Sequence, residues 1–177
     1  SPAMMSYLDN AQSLASEPNE NYARELMELH TMGVDGGYSQ RDVENVAKAY
    51  TGWGVQGTAF FFNPSNHDNT QKLVLGNTIP AGRGIEDGRS VLDILTAHPS
   101  TARFMCKKLI QLFVADTPPQ SLWDSCRATF TSSEGDIGDV VRAILTSPEF
   151  SAAPHFRAKV KTPLELITSF VRATNAT

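Results

Sequence analysis

The sequence predicts a mainly α protein, a multi-helix bundle with a small β-hairpin or extended insertion around residues 57–84. Three observations support this fold class. Over most of the chain, apolar residues recur three and four positions apart, which is the spacing of one helix face. Capping residues or proline precede many of these segments, and glycine or proline follows them. Between 57 and 84 this period is replaced by short apolar runs separated by turn-forming residues.

Length and composition limit the possible classes of protein. The chain has 177 residues, 41% of them hydrophobic, so we expect one helical domain over 1–177 with a sizeable core. With 15 basic and 19 acidic residues the net charge is −4. A protein that follows a phosphate backbone carries clustered Lys and Arg, so we expect no nucleic-acid partner. No apolar run approaches the roughly 20 residues that cross a bilayer, and we expect no membrane span.

The first two long helices have clear boundaries. A helix is predicted over residues 20–32, after Pro18-Asn19, with Gly33 as a left-handed stop. Residues 39–42 (SQRD) have the pattern of a capping box and predict the start of the next helix, which ends at Gly52. The side chains predicted to be buried on this second helix are Val43, Val46, Ala47 and Tyr50.

The insertion and the later helices follow. The runs 60–62 (FFF) and 73–75 (LVL), separated by a polar segment, predict a single hairpin or an extended loop. Helical patterns then resume at Ile85, after a cap at Ser100, after Pro118-Pro119, at Asp136 and after Thr162. The last helix is predicted to bury the stripe Leu164, Ile167, Phe170 and Val171.

The chain contains two cysteines, Cys106 and Cys126, both on apolar faces of predicted helices. Their spacing matches neither a zinc site nor a thioredoxin-type pair. We favour two buried thiols, while a disulfide in an oxidising compartment is the alternative.

Several motifs follow one another in order along the chain. The first, residues 18–33 (PNENYARELMELHTMG), resembles the PNENxARELLEL(H/F)TLG signature of a bacterial family, domain of unknown function 1800. Further matches follow in the family's order and cover nearly the whole chain: 37–43 (GYSQRDV), 51–53 (TGW), 60–62 with His67-Asp68, Lys72 and Leu75-Gly76, 98–104 (HPSTARF), 146–150 (TSPEF) and 159–163 (KVKTP).

The resemblance implies several properties. Members are typically longer, so the chain is expected to be the C-terminal portion of such a protein. Many members carry export signals and lie beside genes for exported sulfatase-like proteins, which implies a periplasmic or secreted location and a partner of that kind. The resemblance implies no biochemical activity.

The first predicted helix holds the densest cluster of polar side chains. Asn21, Arg24, Glu25 and Glu28 fall on one side of it at helical spacing. Two carboxylates three residues apart repel each other mildly and need compensation. An ion-pair network, with Arg24 or with a lysine of another helix, is the favoured interpretation. A divalent cation held by Glu25 and Glu28, or a catalytic acid/base pair, is the alternative.

His30 on this helix points away from both carboxylates, because it lies five residues after Glu25 and two after Glu28. The Glu-x-x-His spacing of a helix-borne metal site is therefore absent. We expect His30 to hold a backbone carbonyl at the edge of the core.

His67-Asp68, in a polar loop, is the second candidate site. The favoured interpretation is that both residues close a turn, with Lys72 pairing with Asp68 at the surface. The alternative is that they hold a metal or act as catalytic groups, with Arg24, Glu25 and Glu28 in the same cleft. Trp53, which precedes the aromatic run 60–62, is a candidate for binding together with Asn21 and Lys72, although we favour a lid over the core.

Two hypotheses of function therefore remain open. In the first, the chain is an exported binding or scaffold domain that docks a sulfatase-like protein or a surface polymer. In the second, it is part of a metal-assisted hydrolase built on the carboxylate and histidine candidates. Carboxylates and His67 that converge at one point would favour the hydrolase hypothesis. An exposed apolar patch without such convergence would favour the hypothesis of a docking domain.

Overall fold

The computed structural model describes residues 1–156 and 159–175, and over these ranges the chain is mainly α with a small β insertion, as predicted. The helices are α1 (Pro2–Tyr7), α2 (Glu20–Glu28), α3 (Gln40–Ala49), α4 (Ile85–Ala97), α5 (Pro99–Phe113), α6 (Gln120–Ser132), α7 (Ile137–Leu145) and α8 (Pro163–Thr174). The strands are β1 (Trp53–Gln56), β2 (Ala59–Phe62), β3 (Lys72–Val74) and β4 (Asn77–Ile79).

The β insertion is two separate hairpins, not the single hairpin of the prediction. β1 pairs with β2 and β3 pairs with β4, both antiparallel, so the run 60–62 does not pair with the run 73–75. Each strand finds its partner across a tight turn. Gly57 (φ 63°) lies at the first turn, and Leu75 (φ 49°) with Gly76 (φ 78°) forms the second. A positive φ at both central residues, as in the second turn, or at the first central residue alone, as in the first turn, is typical of two-residue hairpin connections, which makes local pairing favourable.

Helix α2 ends at Glu28, four residues before the predicted end. The Thr31 hydroxyl bonds the carbonyl oxygen of Leu26 at 2.8 Å, and the Gly33 amide bonds that of Met27 at 3.2 Å. These bonds replace the regular helical pattern in the last turn. Gly33 has a φ of +84°, which confirms it as the left-handed stop.

The first core is formed by α1 to α4 and the hairpins, and it includes the predicted buried residues of α3. Helix α3 begins with the predicted capping box, since the side chains of Ser39 and Asp42 each accept a bond from the other's amide. The second carboxylate oxygen of Asp42 accepts from the Leu75 amide at 2.7 Å. One side chain thus starts α3 and anchors the second hairpin to it.

The second core is formed by α5, α6 and α7. Cys106 on α5 and Cys126 on α6 form a disulfide, so the favoured prediction of two free thiols is wrong. Their Cα atoms lie 5.8 Å apart, a usual distance for a disulfide, and only the packing of α5 on α6 sets it. The cap of α5 is His98 and not Ser100, because His98 Nδ1 accepts from the Ser100 amide at 3.2 Å.

The two cores meet where the loop after α2 contacts the start of α5. A Cβ atom added at Gly33 would lie 2.6 Å from Cδ2 of Phe104, so the ring rests on the glycine. Ser100 Oγ donates to the Gly36 carbonyl at 2.9 Å, and Arg103 donates to the Asp35 carbonyl at 3.0 Å. These contacts add to the direct connection from α4 to α5.

Helix α8 forms as predicted but does not join the core. Thr162 and Glu165 form a capping box at its start. Its predicted core stripe is instead largely exposed: Leu164 is 72% exposed, Ile167 61% and Phe170 65%. The prediction of a buried stripe is wrong because no described element packs along this side. Among the described helices, α8 included, none has the length and hydropathy to span a membrane.

Candidate functional site

A cluster of charged side chains lies inside the first core. Lys72, on β3, is buried, and its Nζ lies 2.8 Å from Oδ2 of Asp87 on α4. The same Nζ donates to the carbonyl oxygens of Asp68 at 2.5 Å and Thr70 at 2.8 Å. A lysine ammonium has three N–H donors, and these three oxygens satisfy all of them. The predicted pairing of Lys72 with Asp68 is present at 3.6 Å, but it lies in the interior and not at the surface.

His67 completes this cluster, which we name the buried charge cluster: Thr51, His67, Asp68, Lys72 and Asp87. Its Nδ1 lies 2.8 Å from the Thr51 carbonyl oxygen and its Nε2 lies 3.2 Å from Oδ2 of Asp87. The side chains of His67, Lys72 and Asp87 have no exposed surface. Both ring nitrogens of His67 are thus engaged inside the protein, and no solvent reaches them.

Asp68 lies at the edge of the cluster and closes a turn, as the favoured interpretation expected. Its Oδ1 accepts from both the amide and the hydroxyl of Thr70. Burial alone would raise the pKa of Asp68, but the two Thr70 bonds and the charge of Lys72 hold it below its usual value. The cluster therefore ties the end of α3, the loop before β3 and the first turn of α4 together.

Asp87 is the residue that sequence reasoning missed. It stands in the first turn of α4, and its Oδ1 is buried with no hydrogen-bond partner among the described residues. A signal was present, because Asp87, Val91 and Leu95 are spaced four apart and share one buried face. A carboxylate on such a face needs a buried cation, and Lys72 is that cation.

The polar face of α2 is a separate region. Arg24 donates to Oε1 of Gln40 at 2.7 Å and lies 3.8 Å from the carboxylate of Glu20. The ion pair of Arg24 is thus with Glu20, and the pairing of Arg24 with Glu25 or Glu28, one form of the favoured interpretation, is not observed among the described residues. Oε2 of Glu25 is buried and has no partner within the described ranges.

Other residues of α2 complete this face. Asn21 is exposed. His30 Nδ1 lies 2.8 Å from the Glu25 carbonyl oxygen, which confirms the predicted carbonyl contact, although the residue itself is exposed. Burial raises the pKa of Tyr38, and the nearby carboxylates of Glu28 and Glu25 raise it further.

The two candidate regions do not join. Over residues 1–156 and 159–175, no hydrogen bond or ion pair links Glu25 or Glu28 to the buried charge cluster. Within the same ranges, no group of three or more His, Cys, Asp or Glu side chains is placed to hold a metal ion. The geometry thus brings His67, Asp68 and Lys72 together, and leaves Arg24, Glu25 and Glu28 apart from them.

Trp53 lies in an aromatic stack over the first core. Its ring meets Tyr50 edge-to-face at a centroid distance of 4.9 Å and Phe60 at 5.0 Å. The indole rests on α4, since a Cβ atom at Gly88 would lie 2.5 Å from it. These contacts agree with the favoured interpretation of Trp53 as part of a lid over the core.

Helix α8 leaves a row of apolar side chains uncovered. With 100° between successive residues, five apolar side chains occupy one half of the helix and Glu165, Thr168, Ser169 and Arg172 the other. We name this apolar half the α8 face; it consists of Leu164, Leu166, Ile167, Phe170 and Val171, each at least 41% exposed. Contiguous exposed apolar surface of this kind is typical of an interaction site.

The comparisons with known proteins agree with the motif resemblance. A family model described as "Protein of unknown function (DUF1800)" matches residues 1–177. No curated protein and no solved structure gives a match.

Proposed function

The chain belongs to the DUF1800 family of proteins of unknown function, and on that premise we propose that it is an exported binding or scaffold domain that docks a partner protein through α8. The observation that carries the proposal is the exposed α8 face. A helix of 12 residues is marginal in water on its own. An amphipathic helix of this length gains stability when its apolar side is covered.

The chemistry of α8 indicates the kind of partner. The α8 face is aliphatic apart from Phe170, which suits the apolar groove of a protein better than a hydrated polymer. From Lys159 to Asn175 the chain carries Lys159, Lys161 and Arg172 against one acidic residue. That residue, Glu165, is bound to the Thr162 amide in the capping box. The fitting partner is therefore an apolar groove with an acidic rim, and two copies of α8 would bring like charges together.

The exported location rests on two supports. The family resemblance implies it, and the disulfide between Cys106 and Cys126 is of a kind that persists in oxidising compartments. An exported sulfatase-like protein is the partner that the resemblance suggests. The alternative of a metal-assisted hydrolase has less support, because His67 is enclosed and lies apart from Glu25 and Glu28.

The test measures binding of the chain to a purified sulfatase-like exported protein from the same organism by isothermal titration calorimetry. The variant Ile167→Asp/Phe170→Asp places two charges on the α8 face. We expect affinity to fall at least about tenfold, roughly 1.4 kcal/mol. The matched control is Thr168→Asp, which adds a charge to the polar side of the same helix and leaves affinity unchanged.

Three results would contradict the proposal. The first is absence of binding by the wild-type chain, and the second is equal affinity in the Ile167→Asp/Phe170→Asp variant. The third is a wild-type dimer in analytical ultracentrifugation that this variant converts to a monomer, because the α8 face would then be covered by a second copy.

A further inference from the structure

A second surface lies at the junction of the two cores. A groove of about 310 Å³ runs between the loop after α2 and the exposed side of α5, with Trp123 of α6 beside it. Its apolar lining includes Phe104, which rests on Gly33, and the indole of Trp123, whose Nε1 donates to the Arg103 carbonyl at 3.0 Å. Two aromatic rings are thus held in fixed positions at the groove. The volume is at the small end of ligand-binding sites.

The rim of this groove is positively charged. Helix α5 carries Arg103, Lys107 and Lys108 and no acidic residue, although the whole chain has a net charge of −4. Arg103 donates to the backbone carbonyl of Asp35, whose own carboxylate is the acidic group in the lining, so three basic residues stand against one acidic residue. Lys108 lies 5.4 Å from the centre of the Phe104 ring. Over the described residues, none of these three cations takes part in an ion pair.

We propose that this junction groove binds a small organic oxyanion: a carboxylate, phosphate or sulfate group joined to a flat apolar body. The charged head would lie among Arg103, Lys107 and Lys108, where guanidinium and ammonium groups donate charge-assisted hydrogen bonds to oxygen. The apolar body would lie against Phe104 and Trp123. The volume admits a single ring with its substituent. This site is independent of the α8 face.

The test titrates the isotope-labelled chain of 177 residues with benzoate, phenyl phosphate and phenyl sulfate, which share a ring and differ in the head group. Benzyl alcohol is the neutral counterpart. The chain has two tryptophans, so nuclear magnetic resonance shows two indole N–H signals. We expect saturable movement of the Trp123 signal, little movement of the Trp53 signal, and weaker binding at higher salt. The head group that binds best identifies the class of oxyanion.

The variant Lys107→Gln/Lys108→Gln removes two charges from the rim. We expect it to weaken binding of the best probe at least about fivefold. The control Lys161→Gln removes a charge elsewhere and leaves binding unchanged. Ile167→Asp/Phe170→Asp also leaves it unchanged, which separates this site from the proposed docking. Failure of all three anions to saturate, equal binding of benzyl alcohol, or full affinity in the Lys107→Gln/Lys108→Gln variant would overturn the proposal.

Discussion

The first core encloses charge, whereas the second core encloses a covalent bond. In the first core Lys72, His67 and Asp87 are fully buried and stabilise one another. In the second core the buried residues are apolar and the disulfide joins α5 to α6. Removal of one partner from a buried ion pair is strongly destabilising, because the remaining charge is neither paired nor hydrated. A disulfide acts largely by restricting the unfolded chain. We therefore expect different kinds of substitution to destabilise the two cores.

The two tryptophans allow each half to be followed separately. Trp53 packs against the first core and Trp123 against the second. In a Trp123→Phe background the remaining fluorescence of Trp53 therefore reports on the first core. In a Trp53→Phe background the fluorescence of Trp123 reports on the second core.

The largest effect is expected for Asp87→Ala. This change leaves the buried ammonium of Lys72 without its carboxylate, which should reduce the free energy of unfolding by about 3–5 kcal/mol. Urea denaturation followed by Trp53 fluorescence measures it. Asp93→Ala is the control, since Asp93 is exposed on the same helix and its replacement should change stability by no more than about 0.5 kcal/mol. Equal stability of the two variants would mean that the buried charge cluster does not hold the first core.

The next effect is expected in the second core. The disulfide spans a sequence separation of 20 residues, and Cys106→Ala/Cys126→Ala should reduce stability by about 3 kcal/mol. The unfolding transition reported by Trp123 should move to a lower urea concentration, and the transition reported by Trp53 should move less. If both transitions moved together, the two cores would unfold as one cooperative unit and the contrast between them would fail.

A substitution at the junction measures how strongly the cores depend on each other. Gly33 and Gly37 both have positive φ, at 84° and 88°, so alanine costs about 1–2 kcal/mol of backbone strain at either. Only at Gly33 does the new Cβ meet the Phe104 ring, since nothing lies within 4 Å at Gly37. The free energy of unfolding of Gly33→Ala should therefore be lower than that of Gly37→Ala by about 1–3 kcal/mol. Equal losses of stability in the two variants, measured by thermal denaturation, would show that the Phe104 ring moves aside without an energetic cost.

The smallest effect concerns pH. Burial alone would raise the pKa of Asp42, but hydrogen bonds from Ser39 and Leu75 hold it below its usual value. A carboxylate whose pKa is lowered by folding stabilises the protein above its unfolded pKa, and this is lost as pH falls through the folded value. Asp42→Asn should therefore cost about 1 kcal/mol near neutral pH and progressively less below about pH 4. Denaturation at several pH values measures this, with Glu44→Gln as control; a pH-independent loss would contradict it.

Much of the helical fold could be predicted because its signals are local. The capping box of Ser39 and Asp42 and the positive φ of Gly33 involve neighbours in the chain, and both predictions are confirmed. The pairing of the hairpins could not be predicted, because two apolar runs can pair with each other or with nearer segments. Asp87 was missed because its partner Lys72 lies 15 residues away, across two elements.

The helical class, most of the helix starts, the amphipathic pattern of the helices from α2 onward and the family could all be inferred from the amino-acid sequence. These follow from hydrogen bonds and side-chain spacing within a few residues. Which apolar stripes are covered, whether the two cysteines meet and which charges share the interior depend on contacts between elements that are distant in the chain. Periodicity tells which side of a helix is apolar, but burial needs a second surface. For Val91 that surface is the first core, whereas for Ile167 no described element supplies it.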